Sequence, residues 1–315
     1  MAARTQVTFE GRELSVTNLD KVLYPEAGFT KADVIDYYAK VSSVMVPHLV
    51  DRGVTLRRYP DGVDGQSFFE KRCPSHRPDW LPVVPGPGEG ADDGIDYCMF
   101  GDAPSLVWAA NLAALELHAP LHVASRPDHP DAVVFDLDPG PGTDITHCAA
   151  VAIDLAALLH DRGLEALAKT SGSKGMQLYV PLNGAPRAGL KRARPTYEHT
   201  RAFALTLGLE LEADQPGSVV TRMAKNLRTG RVFIDWSQNH QHKTTVAVYS
   251  LRARPQPTVS TPITWDEVEA AAGGEVLSFT ATQVLDRIDE HGDLFAPLLT
   301  ERQSLPDVDT GVLDR

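Results

Sequence analysis

Residues 132–138 constrain the fold of this chain most, because an apolar run there ends in two carboxylates. The run Ala-Val-Val-Phe-Asp-Leu-Asp predicts a buried β-strand, and the Pro-Gly-Pro-Gly turn that follows cannot extend it. Asp136 and Asp138 are two residues apart, so a strand places both side chains on one face. Burying two like charges costs several kcal/mol unless a cation compensates them. The pattern therefore predicts a divalent-metal site, although Asp-x-Asp is also common in plain surface turns.

A second apolar run, residues 232–234, ends in a third carboxylate, Asp235. A charge in that setting needs a partner, and a shared metal ion is a natural one. Three carboxylates on adjacent strands can hold two Mg²⁺ or Mn²⁺ ions for in-line phosphoryl chemistry. The alternative is an aspartate that caps a turn or pairs with a nearby cation such as Arg231.

Residues 169–175, Lys-Thr-Ser-Gly-Ser-Lys-Gly, lie between two apolar runs. Small residues let backbone N–H groups approach an anion, and Lys174 adds charge. The glycine spacing and the strand that follows differ from a Walker A loop. A phosphate-binding turn and a plain polar hairpin both fit this segment. Further cations stand near it in the sequence: Arg222, Lys225 and Arg228 on a predicted helix face, then Arg252 and Arg254.

The charge distribution is compatible with a nucleic-acid partner. The chain has a net charge of −12, yet residues 186–254 carry 12 Lys/Arg against 5 Asp/Glu. Electrostatic forces at physiological salt act over about 8 Å, so a local basic surface can bind phosphates on an acidic protein. A solvated basic face explains the same excess.

The N-terminal third contains Phe68-Phe69-Glu70-Lys71-Arg72, in which two aromatic residues precede two cations. This combination suits a base-stacking platform, although core packing explains one of the rings. His118 falls at the end of a predicted helix, where a satisfied core histidine is the simpler interpretation. Cys73 and His76 supply half of a zinc ligand set, and no second half follows.

The remaining pattern indicates a mixed α/β or α+β protein. A length of 315 residues with 43% apolar and 23% charged residues fits one large globular domain or two smaller ones. No apolar run approaches a membrane span of about 20 residues, and residues 1–10 lack a signal-peptide core. Three cysteines, far apart and odd in number, indicate a reducing cytoplasm.

Residues 82–94, rich in Pro and Gly, predict a surface loop, and this loop is the best candidate for an internal boundary. Predicted elements include helices at 30–46, 105–118 and 145–162, strands at 54–59, 132–138, 166–182 (two) and 231–236, a helix after Pro195, a basic helix after Pro216, and a C-terminal helix opened by the capping box of Thr264.

Three segments together resemble the motifs of the archaeo-eukaryotic primase superfamily: residues 134–140, 171–175 and 232–239. More narrowly, the chain is similar to the polymerase domain of bacterial ligase D, from residues 16–21 through 243–254 to 261–265. The resemblance implies a primase-like catalytic core, with a central β-sheet flanked by helices, and an N-terminal α/β part packed intimately against it. It suggests one domain over 1–300 (parts 1–125 and 126–300) and a tail at 301–315. The Lys-x-Asp-Gly motif of a ligase is absent, which predicts a stand-alone polymerase.

The resemblance also implies roles for individual residues. Two Mn²⁺ or Mg²⁺ ions would be held by Asp136, Asp138 and Asp235. The incoming nucleotide would be contacted by His118, Ser171, Lys174, Gln177, Arg228, Gln238 and Arg252. DNA would be contacted by Lys21 and Lys31 at a 5′-phosphate, by Phe68 and Phe69 through stacking, and by Arg57 and Lys71. One departure is Gln177, where family members often have His; glutamine can donate a hydrogen bond but carries no charge.

The function that follows is template-directed transfer of NTPs or dNTPs to a primer 3′-hydroxyl at DNA breaks or gaps, in end joining or gap filling. The expected partners are DNA ends, gapped or primer–template DNA, Ku and a separate ATP-dependent ligase, in a nucleoid-associated cytoplasmic setting. One alternative is a DNA-end-binding adaptor of the same fold with little activity. Another is a haloacid-dehalogenase-like phosphatase with Asp136 as nucleophile, which leaves Asp235 and Arg252 without a role.

Overall fold

The computed structural model describes residues 4–86, 94–182 and 194–314. The chain forms two compact units. The first contains Met1–Ser125, Thr244–Ser260 and Phe279–Asp293; the second contains Arg126–Lys243, Thr261–Ser278 and Leu294–Arg315. The sequence division placed residues 244–260 and 279–293 with the catalytic part, whereas both segments belong to the first unit.

The strands of the first unit are β1 (Arg4–Phe9), β2 (Arg12–Thr17), β3 (Val22–Tyr24), β4 (Phe29–Thr30), β5 (Gly53–Arg58), β6 (Phe68–Glu70), β7 (Val83–Pro85), β8 (Asp96–Met99), β9 (Ala114–Ala119) and β15 (Thr245–Val246). Its helices are α1 (Lys31–Met45), α2 (Ala103–Asn111) and α6 (Ala281–His291). The main sheet has the strand order β15-β9-β5-β8-β7, and β6 also pairs with β5. Two ribbons, β1-β2 and β3-β4, accompany this sheet.

Helix α1 begins where the sequence predicted. Thr30 and Asp33 form a reciprocal capping box, with the Asp33 carboxylate accepting from the Thr30 backbone N–H at 2.7 Å. The buried face includes Val34, Tyr37 and Tyr38, as the helical spacing predicted, and α1 packs against α2 and α6. Both tyrosine hydroxyls donate to backbone carbonyl oxygens within this core.

The described strands of the second unit are β10 (Ala132–Pro139), β11 (Leu167–Thr170), β12 (Met176–Pro181), β13 (Val219–Val220), β14 (Val232–Asp235) and β16 (Pro262–Ile263). Its helices are α3 (Ile145–His160), α4 (Tyr197–Asp214), α5 (Trp265–Ala272) and α7 (Pro297–Thr300). The strands form a sheet with the order β13-β14-β10-β12-β11-β16, and among these described strands only β13 and β14 are parallel. Helices α3 and α4 pack against strand β10, and α5 packs on α3.

The predicted helix over 105–118 is wrong in its second half. Helix α2 ends at Asn111, Ala113 has a positive φ of 56°, and β9 begins at Ala114. Leu115 and Leu117 are fully buried and alternate with Glu116 and His118, which is the two-residue period of a strand. Pairing with β5 and β15 on its two edges outweighs the helix preference of this Ala/Leu-rich segment. His118 therefore lies on a strand.

The predicted basic helix after Pro216 is also wrong. The β-branched pair Val219–Val220 forms β13 beside β14, and the only regular element up to β14 is a 3₁₀ turn at Lys225–Leu227. Arg222, Lys225 and Arg228 therefore do not share one helical face. At the other end of the chain, residues 301–315 are not a loose tail throughout, because Thr310–Asp314 form a 3₁₀ turn that packs on α4.

Cys73 and Cys98 form a disulfide, although 25 residues separate them in sequence. The backbone N–H of Cys73 donates to the carbonyl of Asp96 at 2.7 Å, which brings the segment after β6 onto β8. A reducing compartment was predicted from cysteines that lie far apart in sequence, and the Cys73–Cys98 disulfide removes the basis of that prediction. Cys148 is free and buried.

The prediction of an internal boundary at residues 82–94 is also wrong, because β7 pairs with β8 inside the first unit. Residues 87–93 lie outside the described residues. No helix in the described ranges has the length and apolarity to cross a membrane.

Candidate active site

The second unit aligns polar side chains across four neighbouring strands. In the antiparallel register, Asp136 on β10 faces Asp235 on β14 and Gln177 on β12. Gln177 in turn faces Lys169 on β11. Directly opposed residues project from the same face of a sheet, so these four side chains form one row. The two carboxylate motifs predicted from sequence are thus brought together.

The carboxylates in this row repel one another. Burial and the charge of Asp138, with a further contribution from Asp235, raise the pKa of Asp136 to about 7. A hydrogen bond from the Gln177 side chain and the charge of Lys169 act in the opposite direction. The Gln177 side chain is buried and bonds to the Asp136 carboxylate. Asp138, two residues along the same strand, is exposed.

Asp235 is held by the turn that follows its strand. Its carboxylate accepts from the Ser237 backbone N–H at 3.0 Å and from the Gln238 amide at 3.2 Å. The Lys243 ammonium donates to the Ser237 hydroxyl at 2.6 Å. In the described ranges no three His, Cys, Asp or Glu side chains are arranged as a ready metal-ligand set. Asp235 is turned toward its own turn in this structure.

The same turn is fastened to β10 by Asn239, which is completely buried. Its side-chain oxygen accepts from the Val134 backbone N–H at 2.9 Å, and its amide donates to the Val134 carbonyl at 2.7 Å. Strand β14 pairs with residues Asp136 to Pro139 of β10 and ends there. At Val134, the Asn239 carboxamide takes the place of a strand neighbour and bonds to the β10 backbone. Asn239 is a positioning residue that the sequence motif contained without revealing its role.

The loop between β11 and β12 is the polar turn that the sequence predicted. The Ser171 hydroxyl oxygen accepts from the backbone N–H groups of Ser173 and Gly175, each at 3.2 Å. A side chain at Gly175 would collide with the carbonyl oxygen of Leu137 on β10, so only glycine permits this approach. Lys174 is exposed at the tip.

Arg228 lies in a loop that meets the end of β10. Its guanidinium is 3.6 Å from the ring centroid of Phe233 and donates to the Met223 carbonyl at 2.8 Å. The Gly140 backbone N–H donates to the Arg231 carbonyl at 2.9 Å. The turn after the first carboxylate motif and the loop that carries Arg228 are therefore bound to each other.

In the first unit, a buried glutamate gathers three predicted binding residues. Glu116 contacts Arg252 at 3.3 Å, His118 at 3.0 Å and Arg57 at 3.4 Å. Burial raises the pKa of Glu116, but His118, Arg252 and the Ala253 N–H overcome that effect and lower it to about 2. Burial lowers the pKa of His118, which favours the neutral ring. Glu116 was not predicted from the sequence because this segment was assigned to a helix; strand alternation was the signal available.

Phe68 and Phe69 lie on β6 and are exposed by 45% and 56%, which large aromatic side chains seldom are. The Arg58 guanidinium lies 5.3 Å from the Phe68 ring and the Arg57 guanidinium 5.1 Å from the Phe69 ring. The Phe69 ring meets His118 edge to face at 5.5 Å between centroids. Lys71, just after the strand, is exposed. These contacts leave two aromatic rings open to a partner and backed by cations.

Lys21 and Lys31 line one cavity of about 730 Å³ in the first unit. Lys21 pairs with Asp61 at 2.8 Å, and the Lys31 ammonium donates to the Thr17 carbonyl at 2.6 Å. Burial, together with the charges of Lys21 and Arg58, lowers the pKa of Lys31 to about 8. The cavity also contains residues that the sequence did not single out for it: Asn18, Arg58, His76 and Asn111.

Several known proteins are similar to this chain in sequence. The family model of the LigD primase-polymerase domain matches residues 30–295. The multifunctional non-homologous end joining protein LigD of Mycolicibacterium smegmatis is 43% identical over 286 residues, covering 90% of this chain and 36% of that protein. The bifunctional LigD of Bacillus subtilis is 33% identical over 296 residues, covering 93% and 45%. The chain thus spans less than half the length of these curated relatives.

Among solved structures, the polymerase domain of Mycobacterium tuberculosis ligase D, in complex with DNA, superposes with a TM-score of 0.82 at 38% identity. The match covers 92% of this chain and 99% of that one. It confirms the primase-like fold that the motifs predicted, and it excludes the phosphatase alternative. The chain belongs to the LigD primase-polymerase domain family of nucleotidyltransferases.

Proposed function

We propose that this chain extends a primer 3′-hydroxyl at DNA breaks or gaps by template-directed addition of NTPs or dNTPs. The observation that carries the proposal is the pairing of Asp136 with Asp235 across β10 and β14, in a sheet of the primase-polymerase family. Carboxylates brought together in this way are what phosphoryl-transfer sites use to hold divalent cations.

The donor chemistry of the three predicted carboxylates fits a divalent cation. Asp136, Asp138 and Asp235 supply only carboxylate oxygens, the ligands preferred by Mg²⁺ and Mn²⁺. Burial and the charge of Asp138 keep the pKa of Asp136 high, and a bound cation would compensate the buried negative charge. We propose two ions there, with Asp235 rotating away from Ser237 to take part. Cations so placed would activate the 3′-hydroxyl and stabilise the pyrophosphate leaving group.

The other residues of the second unit would hold the nucleotide. The exposed ammonium of Lys174 and the guanidinium of Arg228 offer positive charge to the phosphates, while Ser171 and Gln238 offer hydrogen bonds. Gln177 would act indirectly, by holding Asp136. In the first unit, His118 and Arg252 are the proposed nucleotide contacts. Positive charge fixed in advance near the reacting phosphates stabilises the charge that builds up during transfer.

DNA recognition is proposed for the first unit. The cavity that contains Lys21 and Lys31 would accept a 5′-phosphate, and Phe68 and Phe69 would stack on bases, with Arg57 and Lys71 supporting the contact. The solved relative bound to DNA supports this assignment. A role in end joining, with Ku and a ligase as partners in a nucleoid-associated cytoplasmic setting, rests on the relatives' names and on the resemblance.

The test is primer extension with the purified chain on 5′-phosphorylated gapped or overhanging DNA, with Mn²⁺ or Mg²⁺ and either NTPs or dNTPs. Asp136→Ala should abolish incorporation and leave DNA-end binding intact. Asp154→Ala is the matched control. The Asp154 carboxylate accepts a hydrogen bond from the Gln215 amide at 2.8 Å and is not part of the row, so its loss should leave extension unchanged. Extension by Asp136→Ala at the parent rate would overturn the assignment.

A second candidate function, the end-binding adaptor with little activity, is favoured by the buried Gln177 in place of the more usual histidine. It predicts DNA binding without incorporation under every metal and nucleotide condition. Lys21→Ala tests the DNA side in either case, and it should weaken the preference for phosphorylated over unphosphorylated ends. Equal binding of the two kinds of end by the parent protein would refute that role.

A further inference from the structure

We propose that Glu116 is a positioning residue for nucleotide binding, whose carboxylate sets the orientation of Arg252 and His118 and ties them to the Arg57–Phe69 pair. This inference rests on the proposed function, because the nucleotide roles of Arg252 and His118 belong to it. Glu116 itself has been assigned no part in that function so far.

The two oxygens of the carboxylate divide its partners between them. Oε1 accepts from the Ala253 backbone N–H at 3.1 Å and from the Tyr59 hydroxyl at 3.5 Å, and it lies 3.3 Å from Nε of Arg252. Oε2 lies 3.0 Å from Nε2 of His118 and 3.4 Å from Nη1 of Arg57. Oε1 therefore holds the segment that carries Arg252, and Oε2 holds two side chains of the sheet. A group with two acceptors is needed to hold both sides.

The charge of Glu116 compensates buried positive charge. The glutamate is 2% exposed, whereas the side chains of Arg252 and Arg57 are 17% and 32% exposed. With its pKa near 2, the carboxylate is ionised throughout the working range of pH. Without it, the guanidiniums of Arg252 and Arg57 would both lose the carboxylate that they share, and each would be free to leave its present position. The ion network therefore fixes where these donors point.

The tautomer of His118 follows from the same contact. An ionised carboxylate only accepts hydrogen bonds, so Nε2 of His118 must carry the proton that lies between them. In the neutral ring this leaves Nδ1 as an acceptor. The glutamate thereby selects one tautomer and one ring orientation, as a carboxylate behind a functional histidine commonly does.

The rigidity of this arrangement comes from the sheet. Glu116 lies on β9, which is paired on both edges, and its register partner on β5 is Arg57. The Arg57 guanidinium contacts the Phe69 ring, and Phe69 contacts His118. One buried carboxylate thus connects the proposed base-stacking ring to two proposed nucleotide contacts. Displacing it should move all three.

The test is Glu116→Gln, which keeps the shape but replaces one acceptor oxygen by an N–H donor that faces donors. Loss of one charge-assisted hydrogen bond corresponds to about tenfold or more in affinity. We expect the KM for NTP in primer extension, and the equilibrium Kd for a fluorescent NTP, to rise by at least about that factor. The kcat at saturating nucleotide should stay within about threefold, because the chemistry uses the carboxylate row of the other unit.

Glu116→Asp is the second variant, because it keeps the charge that stabilises the fold but is too short to hold both sides. It should give an intermediate rise in KM. The matched control is Asp293→Asn, a part-buried carboxylate of the same unit that bonds to His48 at 2.9 Å and to Tyr249 at 2.7 Å. This control should lower Tm without changing the KM for NTP.

The outcomes separate this inference from the proposed function. If the parent extends primers and both Glu116 variants keep its nucleotide KM and Kd within about twofold, the positioning role is overturned while the function stands. If the parent binds NTP without extending primers, the Kd values alone decide the role of Glu116. A parent that neither extends primers nor binds nucleotide overturns both.

Discussion

Removing the Asn239 side chain should destabilise the second unit and disturb its carboxylate row together. The Asn239→Ala variant loses two hydrogen bonds to the backbone of Val134 and a third to the carbonyl of Trp236 at 3.1 Å. The position is completely buried, so the Val134 N–H and C=O lose their partners inside the protein. Each buried backbone group left without a partner costs about 1–3 kcal/mol, which gives a total of about 2–6 kcal/mol for the two groups.

A loss of that size should lower Tm by about 5–15 °C, measured by calorimetry or circular dichroism. Asn239→Asp should be affected at least as much, because an ionised carboxylate would place a negative oxygen against the Val134 carbonyl. Gln241→Ala is the matched control: this amide bonds to Asp128 at the surface, at 2.9 Å, and its removal should change stability by less than about 0.5 kcal/mol. Because Asn239 fastens the turn that holds Asp235, kcat should fall as well. A Tm within about 2 °C of the parent for Asn239→Ala would refute the reasoning.

Three further predictions follow from charge and covalent structure. Because the pKa of Asp136 is raised to about 7, the folded state binds an extra proton between about pH 4 and 7, so this carboxylate lowers metal-free stability as pH rises through that range. In thermal melts at pH 8, Mn²⁺ should therefore raise the Tm of the parent. The Asp136→Asn variant should have a higher Tm than the parent when no metal is present, and Mn²⁺ should not raise its Tm further. Since the pKa of Lys31 is about 8, the preference for 5′-phosphorylated ends should fall between about pH 7 and 9, and Lys31→Arg should remove that fall in a competition binding assay. Reduction of the Cys73–Cys98 disulfide opens a loop of 25 residues and should lower the free energy of unfolding by about 3 kcal/mol, whereas Cys73→Ser should not respond to reductant.

Much of the candidate site could be predicted from local sequence, because its signals are local. An apolar run that ends in a carboxylate marked Asp136 and Asp235, and a small polar loop between two strands marked Ser171. Helix starts were equally local, since a capping box depends on residues three apart, as at Thr30 and Thr264. All of these patterns lie within a few residues and do not depend on what packs against them.

The segment that carries Glu116 and His118 shows where such reasoning fails. Its Ala and Leu residues favour a helix by propensity, yet two neighbouring strands supply hydrogen bonds to both of its edges. The wrong helix prediction is why Glu116 was not linked to His118. Residues two apart share a face on a strand, whereas on a helix they point in different directions. The disulfide between Cys73 and Cys98 could not be predicted for a different reason: only the approach of the segment after β6 to β8 brings the two sulfurs together.

The sequence by itself determined which chemical groups this protein has and where along the chain they stand: three carboxylates at the ends of apolar runs, a small polar loop, and adjacent aromatic residues beside cations. The tertiary structure decided which of these groups are neighbours. Asp136 meets Asp235 and Gln177 only through the register of three antiparallel strands, and Glu116 meets Arg252 only where a distant segment returns to the first unit. Register depends on burying apolar residues of both partners at once, so it is a property of pairs of segments and cannot be derived from either one alone.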